Sequence, residues 1–170
     1  MSISLYEYCM EHGRDDLLRQ WDQEKNGGKT PDDVSAGSSG MAWWRCEKGH
    51  AFQMRIAFRT TREQGCPYCS NRKVLQGYND LATVAPDVAA QWHPTLNGEL
   101  TPEMVTAGSG RPIWWRCEQG HVWRARIDTR AGQQRSGCPV CAGNVSRKKQ
   151  KQYQEWARMG AEGRKEPAAK

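Results

Sequence analysis

The chain has little from which to build an oily core. Of its 170 residues only two are Phe; 37 % are hydrophobic and 26 % are charged, and the mean hydropathy is −0.89. No apolar run approaches the ~18 residues needed to span a bilayer. The start, MSISLYEYCMEHG, sets Glu7 and Glu11 where a secretory signal needs an unbroken apolar stretch. These absences exclude a membrane-spanning helix and predict a soluble, cytoplasmic protein. In that reducing compartment cysteines stay as thiols, so seven of them in a small chain point to metal before disulfide. Units of ~70 residues bury too little apolar surface to be secure without such help.

What is abundant is also repeated. WWRCEKGH at residues 43–50 returns as WWRCEQGH at residues 114–121. A shift of 71 aligns Trp21 with Trp92, Asn26-Gly27 with Asn97-Gly98, Thr30-Pro31 with Thr101-Pro102, and Cys46 and His50 with Cys117 and His121. One inserted residue then makes the shift 72, pairing Cys66 with Cys138 and Cys69 with Cys141. Fixed-period self-similarity is the mark of tandem units. Their expected extents are residues 4–73 and 74–146, followed by a basic tail at 147–170.

Each copy reads CxxxH, a gap, then CPxC. Zinc in a structural site takes four ligands in a tetrahedron, and two short-spaced pairs joined by a hairpin deliver them with little chain strain. The expected ligand sets are Cys46, His50, Cys66 and Cys69 for one ion and Cys117, His121, Cys138 and Cys141 for a second. Three thiolates with one imidazole can also hold iron, but they suit zinc, which cytosolic redox leaves undisturbed. A redox CxxC would want a βαβ setting, whereas here each CPxC follows a CxxxH pair. Cys9 has no counterpart and is expected to be a partly buried apolar residue; His12 and His93 are expected at the surface or as caps.

The metal pairs fit a fold class of small, metal-stabilised α+β units: short helices, a β-hairpin and a further short helix in each. AWWRC and IWWRC predict strands, and a Gly after each Cys permits the tight turn. The return strand is expected to run from His50 to Arg59, with Phe52, Met54, Ile56 and Phe58 on one face and Gln53, Arg55, Ala57 and Arg59 on the other. Its second copy sets Trp123, Ala125, Ile127 and Thr129 against Arg124, Arg126, Asp128 and Arg130. Pro67 and Pro139 are placed to open helices. DDLLRQW and PDVAAQW predict short amphipathic leaders, with Trp21 and Trp92 packed on the hairpins. The tail predicts a basic helix over 146–159 with Tyr153 and Trp156 on one side, and disorder beyond Met159.

With leader, Trp, Asn-Gly, Thr-Pro, WWxC, GHxW, Arg and GCPxC in that order, residues 4–146 resemble the bacterial probable zinc-ribbon, or treble-clef, family of unknown function. The second copy, from NDLATVAPDVAAQWHPTLNG through WWRCEQGHVW to GCPVC, follows that pattern closely. The first departs at WDQEKNGG and at Phe52, neither of them a ligand. The resemblance implies tandem zinc ribbons. Because some relatives carry such repeats beside a nuclease domain, it also implies a role near nucleic acid.

Charge placement is consistent with that implication. Counting Lys and Arg against Asp and Glu gives −4 for residues 1–44, +5 for 45–73, −4 for 74–110, +4 for 111–146 and +5 for 147–170. Arg55, Arg59, Arg62, Arg124, Arg126 and Arg130 are the candidate phosphate contacts, expected on the solvent side of the hairpins. One ring of each Trp pair is available in principle to stack on a base. The expectation is a non-enzymatic zinc protein that binds nucleic acid, DNA rather than RNA. A protein–protein adaptor, or a specificity subunit working with a separate endonuclease, is the alternative.

Overall fold

Ser4 opens the first element. Its hydroxyl accepts the Glu7 amide at 3.1 Å while the Glu7 carboxylate accepts the Ser4 amide at 2.8 Å, a reciprocal cap that starts helix α1, Leu5–His12. Gly13, left-handed at φ 62°, ends it. Helix α2, Asp15–Gln20, follows, then a 3-10 turn at Pro31–Asp33 that the Asp33 carboxylate caps by accepting from Thr30. Strands β1, Met41–Arg45, and β2, Ala51–Arg55, form an antiparallel hairpin in which Trp43 faces Gln53 and Trp44 faces Phe52. Helix α3, Ile56–Thr60, continues directly from β2.

The computed structural model describes residues 3–161, and the chain divides into two compact units between Arg72 and Lys73. In the second unit, α4, Leu81–Val84, and α5, Pro86–Ala89, lead to a 3-10 turn at Pro102–Met104. The hairpin of β3, Pro112–Arg116, and β4, Val122–Arg126, comes next, then α6, Ile127–Ala131, and the long helix α7, Arg147–Ala161. Among the described residues no helix is long and apolar enough to cross a membrane.

Each unit has its own small core. The first gathers Leu5, Cys9, Leu17, Trp44, Phe52, Met54 and Ile56; the second gathers Leu81, Val88, Ile113, Trp114, Trp115, Trp123, Ile127 and Tyr153. Trp21 meets Trp44 edge-on at 5.3 Å between centroids, and Trp92 meets Trp115 at 5.7 Å, so the leaders pack on the hairpins as their aromatic residues predicted. Cys9 is wholly buried, and burial, with Asp16 nearby, pushes its thiol up to about 11. His12 stacks on Tyr8 at the end of α1, and Nδ1 of His93 accepts the amides of Thr95 and Leu96.

Three expectations are corrected. The return strand is five residues long in each copy and then turns into helix, because Ile56, Arg59 and Thr60, and likewise Ile127 and Arg130, are buried at helical spacing. Phe58 and Thr129 therefore do not continue the strand face. Pro67 and Pro139 open only single turns, closed by the Ser70 amide on the Cys66 carbonyl and the Ala142 amide on the Cys138 carbonyl, both at 3.1 Å. Finally, α7 runs to Ala161, two residues past Met159; the rest of the expected disorder falls outside the described residues.

Candidate metal centres

The CEKG and CEQG turns set up the sites. Gly49 and Gly120 adopt φ 82° and 78°, a left-handed conformation that side chains resist. This lets the Gly49 amide reach the Cys46 carbonyl at 2.8 Å and the Cys46 amide reach the His50 carbonyl at 3.1 Å. The second copy repeats these bonds at 2.9 and 3.1 Å, from Gly120 to Cys117 and from Cys117 to His121. A knuckle of this kind turns Cys Sγ and His Nδ1 toward one point, and the CPxC turn brings two more sulfurs to it.

The four donor atoms of each set lie within 4.8 Å of one another. In the first, Nδ1 of His50 is 3.4 Å from Cys46 Sγ, 3.8 Å from Cys66 Sγ and 3.3 Å from Cys69 Sγ, and Cys46 and Cys69 are 3.8 Å apart. In the second, Nδ1 of His121 is 3.5, 3.9 and 3.3 Å from Cys117, Cys138 and Cys141, with Cys117 and Cys141 again 3.8 Å apart. Zinc bonded at ~2.3 Å to sulfur and ~2.0–2.1 Å to nitrogen in a tetrahedron sets edges of ~3.8 Å between sulfurs and ~3.5 Å between sulfur and nitrogen. The four separations given for each set lie close to those edges, so both sites fit a structural zinc ion with all four donors supplied by the protein.

Electrostatics supports the same assignment. Burial opposes ionisation of Cys46, but donation from the His50 and Lys48 amides together with the Cys69 and Cys66 thiols outweighs it and lowers the thiol below its ordinary value; His121, Gln119, Cys141 and Cys138 do the same for Cys117. In the absence of a cation, burial and the neighbouring Cys69 and Cys46 thiols push Cys66 up to about 11, and desolvation with the adjacent Cys138 and Cys117 thiols pushes the exposed Cys141 up to about 11. A dication reverses that preference, so metal loading expels those protons.

The six candidate arginines separate into two groups. Arg55 and Arg62 are exposed, their guanidinium carbons 5.5 and 4.4 Å from the Phe58 ring centroid. Arg126 is exposed and paired with Asp128, and Arg124 is half-buried. Arg59 and Arg130, expected on the solvent face, are each only 3 % exposed. The turn from strand into helix rotates them inward. Arg59 lies over Trp44 and Phe52 at 5.0 and 5.7 Å, and Arg130 over Trp115 and Trp123 at 4.6 and 4.9 Å. Each donates to a leader glutamine, Arg59 to Gln20 at 2.5 Å and Arg130 to Gln91 at 2.8 Å. Burial lowers both guanidinium pKa values; Asp16, then Cys66 and Cys46, pull Arg59 back up, and Cys138, Asp87 and Cys117 do so for Arg130. These two arginines are internal counter-charges to three-thiolate sites that carry −1 when loaded, and they are withdrawn as phosphate contacts.

A further residue acts in the same way in both copies. Asn26 accepts the Trp43 amide at 2.8 Å and donates to the Trp43 carbonyl at 3.0 Å; Asn97 does the same for Trp114 at 2.8 and 2.9 Å. Both asparagines stand in the repeat register, where the Asn-Gly pair reads as a turn. Their side chains in fact extend the hairpin edge, which spacing alone does not reveal.

No curated protein matches the chain. A family model described as a probable treble clef zinc finger domain matches residues 17–72 and again 88–144, covering the Cys/His set of each unit. With two matched repeats and two tetrahedral donor sets in register, the chain belongs to the probable treble clef zinc finger family and carries two copies of its domain in tandem.

Proposed function

We propose that this tandem zinc protein is a non-enzymatic, cytoplasmic nucleic-acid-binding factor, contacting DNA rather than RNA. The observation that carries the proposal is the segregation of exposed charge. The leaders are acidic, whereas around the metal sites Arg55, Arg62, Arg72, Arg111, Arg116, Arg126 and Arg135 all lie exposed. On α7, Arg147, Lys148, Lys149 and Lys151 add a further exposed cationic turn. Cations on that scale collect phosphate, and guanidinium groups do so with a planar fork of donors. All four positions of each metal are filled by side chains, leaving none for a reactive water. The metals therefore hold the fold and supply no hydrolytic water of their own.

The test is titration of the zinc-loaded chain against duplex and single-stranded oligonucleotides at two salt concentrations. Phosphate contact predicts affinity that falls steeply with salt, and Arg62→Glu with Arg126→Glu should weaken binding and flatten that slope by about one unit per lost contact. Absence of binding at low salt would transfer the assignment to a protein–protein adaptor. Cleavage by the purified chain would overturn the non-enzymatic reading.

A further inference from the structure

The two hairpins have the same register but different exposure. On the outer face of β3–β4, Pro112 pairs with Arg126, Trp114 with Arg124, and Arg116 with Val122. That face is covered: Trp156 of α7 meets Trp114 edge-on at 6.4 Å, Tyr153 packs beside it, and Trp114 is only 7 % exposed. On the outer face of β1–β2, Met41 pairs with Arg55, Trp43 with Gln53, and Arg45 with Ala51. Here Trp43 is half-buried, Met41 is 58 % exposed, and Lys25 Nζ sits 4.6 Å from the indole centroid. Gln53, Arg45 and Arg55 are exposed on the same face, Arg45 also bonded to Asp22 at 2.9 Å.

We propose that the Trp43 face of the first hairpin binds single-stranded nucleic acid, one base lying on the indole while Lys25, Arg45 and Arg55 take the flanking phosphates. This rests on the nucleic-acid reading above and gives it a site and a substrate class. The chemistry selects the strand type. A base within a duplex has both faces covered by its neighbours, so only an unpaired one can lie on a tryptophan. Lys25 now occupies the indole as a cation and, on its flexible stem, can move to a phosphate when a base arrives. Gln53 stands where the second copy has Arg124, opposite the tryptophan, and offers an amide that can both donate to and accept from a base edge. A duplex would use the cations and leave Trp43 idle. A partner helix, the kind of occupant the second hairpin has in α7, would need acidic groups to meet the three cations here.

The experiment uses the full zinc-loaded chain with a labelled 12-nucleotide oligodeoxythymidine and a 12-base-pair duplex, followed by fluorescence anisotropy and tryptophan quenching. The expected result is tighter binding of the single strand with quenching. Trp43→Ala should weaken it about tenfold or more, Trp43→Phe should retain most of the affinity, and two zinc ions per chain in each variant would confirm folding. Salt-dependent binding that is indifferent to Trp43→Ala would overturn the platform and leave the phosphate reading standing. No binding of either oligonucleotide by the wild-type chain would overturn both. A synthetic α7 peptide with its cations replaced by Glu, bound at Trp43 when oligodeoxythymidine is not, would assign the face to a protein helix instead.

Discussion

A guanidinium enclosed by aromatic rings loses its water and must recover that cost from what surrounds it. Arg59 does so with the Trp44 and Phe52 faces, the Gln20 side chain, the Gln64 carbonyl at 2.8 Å and the nearby thiolates. Its Nε has no hydrogen-bond partner and rests on the rings alone. Arg59→Ala should therefore leave Gln20 and a carbonyl unpaired beside a cavity, lowering the stability of the loaded first unit by about 2–4 kcal/mol. Arg59→Lys should not restore it, since one ammonium cannot stack on two rings and span both acceptors. Chemical denaturation followed by tryptophan fluorescence reads the loss, and wild-type stability in Arg59→Ala would refute the role. The sequence hid this residue for a specific reason. Phe52, Met54, Ile56 and Phe58 alternate as a strand should, and the helical pattern beneath them, Ile56 with Arg59 and Thr60, is invisible while a charged residue is assumed to face water. The ligands were legible because Cys and His at those spacings have few other uses, and because the same pattern appears twice.

Helix α7 shows how one element changes the meaning of a repeated surface. Its cations lie exposed, while Tyr153 and Trp156, three apart and so on one side, lie against β3–β4. Removing residues 147–170 should strip that cover from Trp114. Full burial of a large apolar side chain is worth roughly 1.5–3 kcal/mol; Tyr153 is buried and Trp156 half-buried, so the second unit should melt earlier and its tryptophan emission shift to the red. The Cys117, His121, Cys138 and Cys141 set remains, so bound zinc should stay at two per chain; a fall to one would mean that α7 is part of the metal site. The aromatic side of the helix was readable from its periodicity, but not the surface it would cover. The α1 leader was obscured differently. The bridges Ser4 with Ser35 and Asp80 with Thr106 show that α1 and α4 are equivalent, yet the second leader is five residues shorter between its cap and its tryptophan, and that breaks the shift of 71.

At the scale of the molecule, what matters is whether the two metals stabilise one folding unit or two. The core clusters share no residue, and each metal set draws all its donors from its own copy. A structural zinc contributes on the order of 10 kcal/mol or more at neutral pH, as much as the ~5–15 kcal/mol that holds a whole domain together. Neither core, built on a few buried aliphatic side chains and tryptophans, can replace it. Cys66→Ser removes a buried thiolate from the first set and leaves a hydroxyl that binds zinc poorly. Elemental analysis should then find one zinc per chain, and the amide spectrum should lose dispersion for the first unit while signals from 73 onward keep their positions. Loss of both ions would show that the second unit depends on the first; retention of both, with an intact spectrum, would show that three donors and the small core suffice. Only the single-ion outcome is consistent with each copy of WWRCExGH forming a metal-ordered domain of its own.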